Sequence, residues 1–146
     1  MKRFEFPLEK VLHYKNQILE NLQNELSIIQ MHLNEVEKKL NIFNAEYRQT
    51  NMKLREAYQK DITTKEISPY KMYLSQIDQA IRINEEKRAK IKEAFALKQK
   101  EVLEAKIEVS TLEKLREKQV AQYNEAVKKE TEQFIDEFVN NTRASS

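Results

Sequence analysis

The two histidines, His13 and His32, are the first residues to consider for chemistry, because an imidazole ring can ligate a metal ion or act as a general base. They are nineteen positions apart, which corresponds to about 28 Å along an α-helix. At that distance two histidines on one helix cannot share a metal ion. The carboxylates are scattered, and most have a lysine or arginine three or four positions away, which is the spacing of helix-stabilising ion pairs. We therefore predict no metal site and no catalytic residue.

Whole residue types are missing from the 146 residues, which contain no glycine, no cysteine and no tryptophan. Without glycine, phosphate-binding loops and the nucleophile elbow are excluded, because their backbones need positive φ or close approach to a ligand. Without cysteine, disulfides, thiolate metal sites and thiol nucleophiles are excluded. The composition thus predicts a protein that is not an enzyme, binds no small-molecule substrate and needs no cofactor.

The charges are nearly balanced, with 26 basic and 24 acidic residues and a formal net charge of +2. The densest basic segment, 82–100, holds seven basic and three acidic residues on all sides of a helix. Nucleic-acid-binding proteins concentrate their basic residues in a patch or stripe, so we predict no nucleic-acid partner. No apolar run reaches the roughly 18 residues of a membrane span. The first seven residues lack the features of a secretory signal.

The elements that must position these residues are visible in the apolar pattern. Apolar residues recur at alternating intervals of four and three from Leu8 to Leu54, interrupted only by Lys15 and Thr50. This heptad spacing is typical of a coiled coil. Pro7 stands where a helix tolerates the loss of an N–H. We predict a first helix from about residue 6 to about residue 59.

A break in the heptads follows over 60–68. Pro69 disfavours the helical conformation at Ser68, so we predict a loop over 60–68 and a second helix that begins at Pro69 with Ser68 as its N-cap. The second helix runs to about Val139, with a change of heptad phase near Arg116. A frayed polar tail is predicted over 140–146.

Two long helices with a short connection predict an all-α fold, an antiparallel coiled-coil hairpin that forms a single domain over residues 1–146. With the turn near Thr64, the numbers of facing residues total about 128, so Leu26 faces Val102. The second helix is the longer, and residues after about Ala121 then have little partner in their own chain. Four apolar residues in this overhang are left uncovered: Phe134, Ile135, Phe138 and Val139. They predict a partner site or docking in a homodimer or on Phe4 and Phe6.

A regular leucine heptad invites comparison with leucine-zipper transcription factors; it consists of Leu12, Leu19, Leu26, Leu33 and Leu40. Such proteins carry a basic helix fused to the zipper, and the residues before Leu12 do not form one. A membrane-curving or filament coiled coil is not favoured either, because no amphipathic anchor is present.

Both ends of the chain carry recognisable motifs. The opening 4–15 reads Phe-Glu-Phe-Pro-Leu-Glu-Lys-Val-Leu-His-Tyr-Lys. Towards the other end, 112–118 is followed by Tyr123-Asn124-Glu125, and 130–138 then closes on Ile-Asp-Glu-Phe. These motifs resemble the start and the C-terminal part of the FliJ family of flagellar export proteins. The resemblance covers nearly the whole chain in the expected order.

The resemblance implies a two-helix coiled coil similar to the central stalk of rotary ATPases. It implies a non-enzymatic protein that binds the hexameric flagellar export ATPase, promotes its assembly, contacts the cytoplasmic linker of the membrane export gate and recycles export chaperones. The expected location is cytoplasmic, peripheral to the inner face of the cell membrane at the flagellar base. Two alternatives stay open: a structural homodimeric coiled-coil scaffold, and the equivalent stalk of a virulence type III secretion system.

Two sets of binding residues follow from the resemblance. Alignment with the family implies export-gate binding by Leu40, Phe43, Tyr47, Tyr73, Ile77 and Ala80. Four of these lie on the heptad seam, where a core role is the alternative, and the flanking Val36 and Asn84 replace the glutamine and histidine of relatives. By analogy with rotary stalks, the end with both termini binds the ATPase ring, and the residues expected there are Lys2, Arg3, Phe4, Phe134, Asp136 and Phe138.

Overall fold

The computed structural model describes residues 1–60 and 63–145, which form two α-helices packed against each other. Helix α1 spans Glu9–Gln59 and helix α2 spans Thr64–Ser145. No strand occurs in the described ranges. The all-α helical hairpin is therefore confirmed. No helix in these ranges is long and apolar enough to cross a membrane.

Helix α1 begins at Glu9, three residues later than expected. The Glu9 N–H donates to the Phe6 carbonyl (3.1 Å), and Pro7 and Leu8 form a turn. Phe6 is only 6% exposed because it packs with Leu12 and Val109, and burying this ring draws the chain out of the helical path. A carboxylate in the first turn suits the positive end of the helix dipole.

Helix α2 begins at Thr64, so the prediction that Ser68 caps it and that Pro69 opens it was wrong. The Thr63 carbonyl accepts from the N–H groups of Glu66 (3.0 Å) and Ile67 (3.2 Å), and Pro69 lies inside the helix. The extra turn buries Ile67, which is 7% exposed, and this burial offsets part of the proline's cost. Of the predicted loop, residues 61 and 62 lie outside the described residues.

The end of α2 also differs from expectation, because residues 140–145 of the predicted frayed tail are helical. Hydroxyl groups bond to the preceding turn there: Thr142 Oγ1 donates to the Phe138 carbonyl and Ser145 Oγ to the Asn141 carbonyl. Arg143 lies in the last turn, where a cation suits the helix dipole. Ser146 lies outside the described residues.

The register of the hairpin follows from its cross-helix ion pairs. Lys98 Nζ lies 2.8 Å from Glu25, and Lys15 Nζ lies 2.8 Å from Glu108. In both pairs the residue numbers total 123, as do those of Gln59 and Thr64, where the helices end and begin. The expected total of about 128 was too high because α2 was predicted to start five residues too late.

The chain forms two compact units. The first, which we call the terminal unit, combines Met1–Asn21 with Val102–Ser146, and the second, the middle unit, is Leu22–Glu101. The terminal unit is centred on the cluster of Phe6, Leu12 and Val109, against which Phe4, Leu19, Leu112 and Leu115 pack. The middle unit buries seam residues from both helices: Leu33, Val36, Leu40, Leu54, Ala57, Ile67 and Ile77, with the polar Thr50 and Asn84.

Candidate functional site

The non-helical N-terminal segment, residues 1–8, lies along α2 within the terminal unit. The ring of Phe4 packs against Tyr123 with centroids 5.6 Å apart, and the Tyr123 hydroxyl donates to the Lys2 carbonyl (2.5 Å). The Arg116 guanidinium stands 5.9 Å from the Phe4 centroid and bonds to Glu9 (3.0 Å). Two contacts of Tyr123, one polar and one aromatic, therefore hold the segment on the helix together with Arg116.

This segment covers α2 further than expected. Tyr123, Ala126 and Val127 are half-buried, so the expectation that residues after about Ala121 have little partner was wrong by about two helical turns. The half-buried positions beyond Val109 include Gln119 of the original heptad phase and Val120 of the shifted phase. The predicted phase change thus widens the covered face of the helix.

Beyond Val127 the cover ends, and every described residue from 128 to 145 is exposed. Four large apolar side chains stand in this stretch, and we call them the terminal stripe: Phe134 (69% exposed), Ile135 (53%), Phe138 (65%) and Val139 (39%). Phe4 and Phe6 do not cover them, because both are engaged further up the helix. That alternative of the sequence prediction is therefore wrong.

The two phenylalanines of the terminal stripe continue the covered face of α2. Phe134 follows Tyr123, and Phe138 follows Val127, by eleven residues each, which is close to three full turns. Each of these pairs therefore lies within about 20° on the helix surface. The face that folds against the N-terminal segment is the same face that ends uncovered.

The six residues predicted at the ATPase-binding end all belong to the terminal unit. Lys2 and Arg3 are exposed on the N-terminal segment, and Phe4 is half-buried against Tyr123. Phe134 and Phe138 are exposed in the terminal stripe. Asp136 is exposed too, but it lies about 200° from each phenylalanine. The six residues therefore differ in their surroundings. Phe4 packs against α2, the two cations and the two phenylalanines of the terminal stripe are exposed, and Asp136 lies on the opposite face of the helix.

An open cleft of about 810 Å³ lies beside the N-terminal segment. Its charged lining includes Arg3, Lys10 and Arg116 together with Glu5 and Glu9. These charges nearly balance, and Arg116 already pairs with Glu9. The cleft therefore offers no concentrated charge for an anion or a cation.

The six residues predicted to bind the export gate all lie in the middle unit, with unequal exposure. Leu40 and Ile77 are buried at 2% and 4% exposure, and Phe43 and Ala80 are half-buried. Tyr47 (36%) and Tyr73 (45%) are exposed. The structure thus brings the set together as two core residues, two flanking residues and two surface tyrosines.

Hydrogen bonds connect two residues of this set, Tyr73 and Ala80, to neighbouring side chains. The Tyr73 hydroxyl donates to Glu46 Oε2 (3.2 Å), and the charge of that carboxylate raises the pKa of the tyrosine above its ordinary value. Val36 and Asn84 are both buried, and Asn84 Nδ2 donates to the Ala80 carbonyl (2.8 Å). Val36 and Asn84 are therefore packed positions, and the exposed part of the set consists of the two tyrosines.

Metal-binding chemistry finds no support in the described residues. His13 and His32 are exposed on α1, and His13 lies 3.4 Å from the Gln17 side chain. Within residues 1–60 and 63–145, no three histidine, aspartate or glutamate side chains form a cluster that could hold an ion. Large apolar and aromatic side chains are exposed on both helices.

Comparison with known proteins assigns the chain to a family. A family model described as Flagellar FliJ protein matches residues 4–145, nearly the whole chain. No curated protein and no solved structure matches the chain significantly. The matched range includes both helices, the N-terminal segment from Phe4 and the terminal stripe. The chain therefore belongs to the FliJ family of flagellar export proteins.

Proposed function

We propose that this protein is a non-enzymatic member of the flagellar export apparatus that binds the hexameric export ATPase as a central stalk. In this role it promotes assembly of the ATPase ring, couples the ring to the export gate and recycles export chaperones. It acts in the cytoplasm, at the inner face of the membrane beneath the flagellum. Membership of the FliJ family and the two-helix fold support this proposal.

The terminal stripe is the observation that carries the ATPase assignment. Two phenylalanines at 69% and 65% exposure leave a large apolar area in water, at about 25 cal/mol for each Å². A partner that covers them recovers this free energy, and aromatic residues are typical of the energetically dominant part of an interface. The stripe lies in the terminal unit with the N-terminal segment, which also supplies Lys2 and Arg3.

The experiment is the hydrolysis rate of the export ATPase from the same bacterium at low enzyme concentration, with the full chain and with a chain that ends at Val127. The cut follows the last half-buried residue, so the remaining helices stay packed, as circular dichroism and the melting temperature would verify. We expect the full chain to stimulate hydrolysis and hexamer formation and the shortened chain to do neither. Equal stimulation by both would remove the terminal stripe from the ATPase site.

A homodimeric scaffold is the second candidate, and the same exposed stripe favours it. Light scattering separates the two functions. A monomer near 17.5 kDa that stimulates the ATPase supports the stalk. A tight dimer that dissociates when Phe134 and Phe138 are replaced by alanine supports the scaffold.

For the export gate, we propose that Tyr47 and Tyr73 make the direct contacts. Leu40 and Ile77 are too buried to do so, and they hold the two helices at the spacing that presents the tyrosines. Phe43 and Ala80 form the edge between these groups. The test is the affinity for the isolated cytoplasmic linker of the gate.

The variants for that test are Tyr47→Ala and Tyr73→Ala, with Tyr58→Ala as a matched control. Tyr58 is 51% exposed on α1 and packs near Lys71, with the lysine nitrogen 5.9 Å from the ring centroid. We expect the first two variants to bind the linker at least tenfold more weakly, as for aromatic residues at the centre of an interface, and the control to bind normally. Equal affinities for all three would refute the assignment.

A further inference from the structure

The border of the covered face on α2 carries acidic residues at related positions. Glu108 and Glu130 are 22 residues apart, and Glu137 follows seven residues after Glu130. At about 100° for each residue, all three fall within about 40° on the helix surface. Glu130 precedes Phe134 by four residues and Glu137 follows it by three, so both carboxylates border the terminal stripe.

Where this face is covered, the covering chain brings a cation to the border. Lys15 of α1 places its Nζ 2.8 Å from Glu108, and this hydrogen bond raises the pKa of the lysine above its ordinary value. The amino group of Met1 lies 3.5 Å from Glu130. The first ion pair lies beside the buried Val109, and the second lies just beyond Val127, where the apolar cover ends.

Beyond Glu130, both the apolar cover and the ion pair are missing among the described residues. Phe134 and Phe138 have no apolar cover, and within residues 1–60 and 63–145 Glu137 makes no ion pair. Glu137 thus occupies the border position that Glu108 and Glu130 occupy further up the helix, but without their partners. A chain that continued the cover would meet an apolar surface bordered by one free carboxylate.

We propose that the occupant of this surface is an apolar and basic segment of the export ATPase, whose apolar side chains cover Phe134 and Phe138 and whose lysine or arginine pairs with Glu137. This inference rests on the proposed function and adds the chemistry of the partner segment. The partner segment should be apolar because the stripe continues the covered face of α2. It should be basic because Glu137 requires a cation for charge complementarity.

The test is the affinity of the full-length chain for the export ATPase of the same bacterium, measured by calorimetry at low and at moderate salt. The informative variant is Glu137→Lys, and its matched control is Glu132→Lys, which makes the same charge change on another face of the same exposed stretch. A third variant, Phe134→Ala with Phe138→Ala, tests the proposed function independently. All four substituted positions are exposed, so folding is preserved.

We expect Glu137→Lys to weaken binding roughly fivefold at low salt, with a smaller loss at moderate salt because the interaction is screened. Glu132→Lys is expected to bind like the unaltered chain. Equal affinities for the two lysine variants would overturn the inference, while loss of binding in the phenylalanine variant would leave the proposed function standing. If the unaltered chain does not bind the ATPase, or if light scattering shows that a second copy occupies the stripe, both proposals fall.

Discussion

Two stretches of helix α2 within the terminal unit carry apolar residues on the same face but have opposite surroundings. From Val102 to Val127 the apolar face is covered by α1 and the N-terminal segment, and Val109 is 5% exposed. From residue 128 to residue 145 the same face has no cover, and Phe134 is 69% exposed. The apolar residues of the first stretch contribute to folding, whereas those of the second contribute little until a partner covers them.

Under the proposed function, folding and binding use separate residues of one continuous helical face. A substitution in the covered stretch should change stability, and a substitution in the uncovered stretch should change partner affinity. This separation is useful experimentally, because a loss of binding in the second stretch cannot be attributed to unfolding.

The largest expected effect on stability comes from Phe6→Ala in the covered region. The ring is 6% exposed and packs on Leu12 and Val109, so its loss leaves a cavity and should lower the free energy of unfolding by about 3 kcal/mol. Chemical denaturation followed by circular dichroism measures this change. A loss below about 1 kcal/mol, the typical value for an average substitution, would mean that the N-terminal segment is not held as described.

The next largest effect is expected on the affinity for the export ATPase. Replacing Phe134 and Phe138 together by alanine should leave the free energy of unfolding within about 0.5 kcal/mol of the unaltered chain. The same change should weaken ATPase binding by about 2 kcal/mol or more, as for buried aromatic anchors of an interface. The matched control is Leu103→Ala with Ile107→Ala, a pair at the same spacing whose members are each 58% exposed. Equal weakening by the control pair would contradict the separation of roles.

The sequence predicts the features of α1 and α2 that come from local periodic burial, but not those that come from contacts between distant residues. The heptads predicted both helices and the end of α1 at Gln59, because periodic burial along a seam is a local pattern. They also predicted that Phe134 and Phe138 lie uncovered, since α2 is the longer helix. Ser68-Pro69 predicts a start of α2 at residue 69, which is five residues too late. Thr63 and Glu66 have the spacing of a capping box, and they indicate the true start.

The heptad pattern does not predict that the N-terminal segment packs on Tyr123. The N-terminal segment is not helical, so periodicity does not report where it lies. Its anchors join residues more than a hundred positions apart, as in the hydrogen bond from Tyr123 to the Lys2 carbonyl. The only sequence signal was the alternation of Phe4 and Phe6 before Pro7, which indicates an extended segment with one aromatic face.

A smaller effect is expected from Tyr123→Phe. The change removes the hydroxyl that bonds to the Lys2 carbonyl but keeps the ring against Phe4. A single hydrogen bond of this kind contributes about 1 kcal/mol at most at a partly exposed site, and the melting temperature should fall slightly. Tyr58→Phe is a control, because among residues 1–60 and 63–145 no hydrogen bond involves that exposed hydroxyl. A Tyr123→Phe chain as stable as this control would show that the hydrogen bond contributes nothing.

The smallest effect concerns Lys15, whose pKa is raised by its hydrogen bond to Glu108 and by the charge of that carboxylate. Because the folded state favours the protonated amine, the pair contributes fully below the unfolded lysine pKa of about 10.4. That contribution is lost as the pH rises through the higher folded pKa. Glu108→Gln should lower the Lys15 pKa towards its ordinary value in an NMR titration, whereas Glu104→Gln should leave it unchanged. An unchanged Lys15 pKa in Glu108→Gln would contradict the pairing.

Amide hydrogen exchange along α2, measured with and without the export ATPase, tests directly whether residues 128–145 form the ATPase-binding surface. In the free protein, residues 128–145 should exchange faster than 102–127, because an isolated helical end without tertiary cover opens readily. With the ATPase bound, we expect slower exchange over 128–145 and little change in the middle unit. Unchanged exchange over 128–145 in a complex that still stimulates hydrolysis would contradict the claim that this stretch is the ATPase-binding surface.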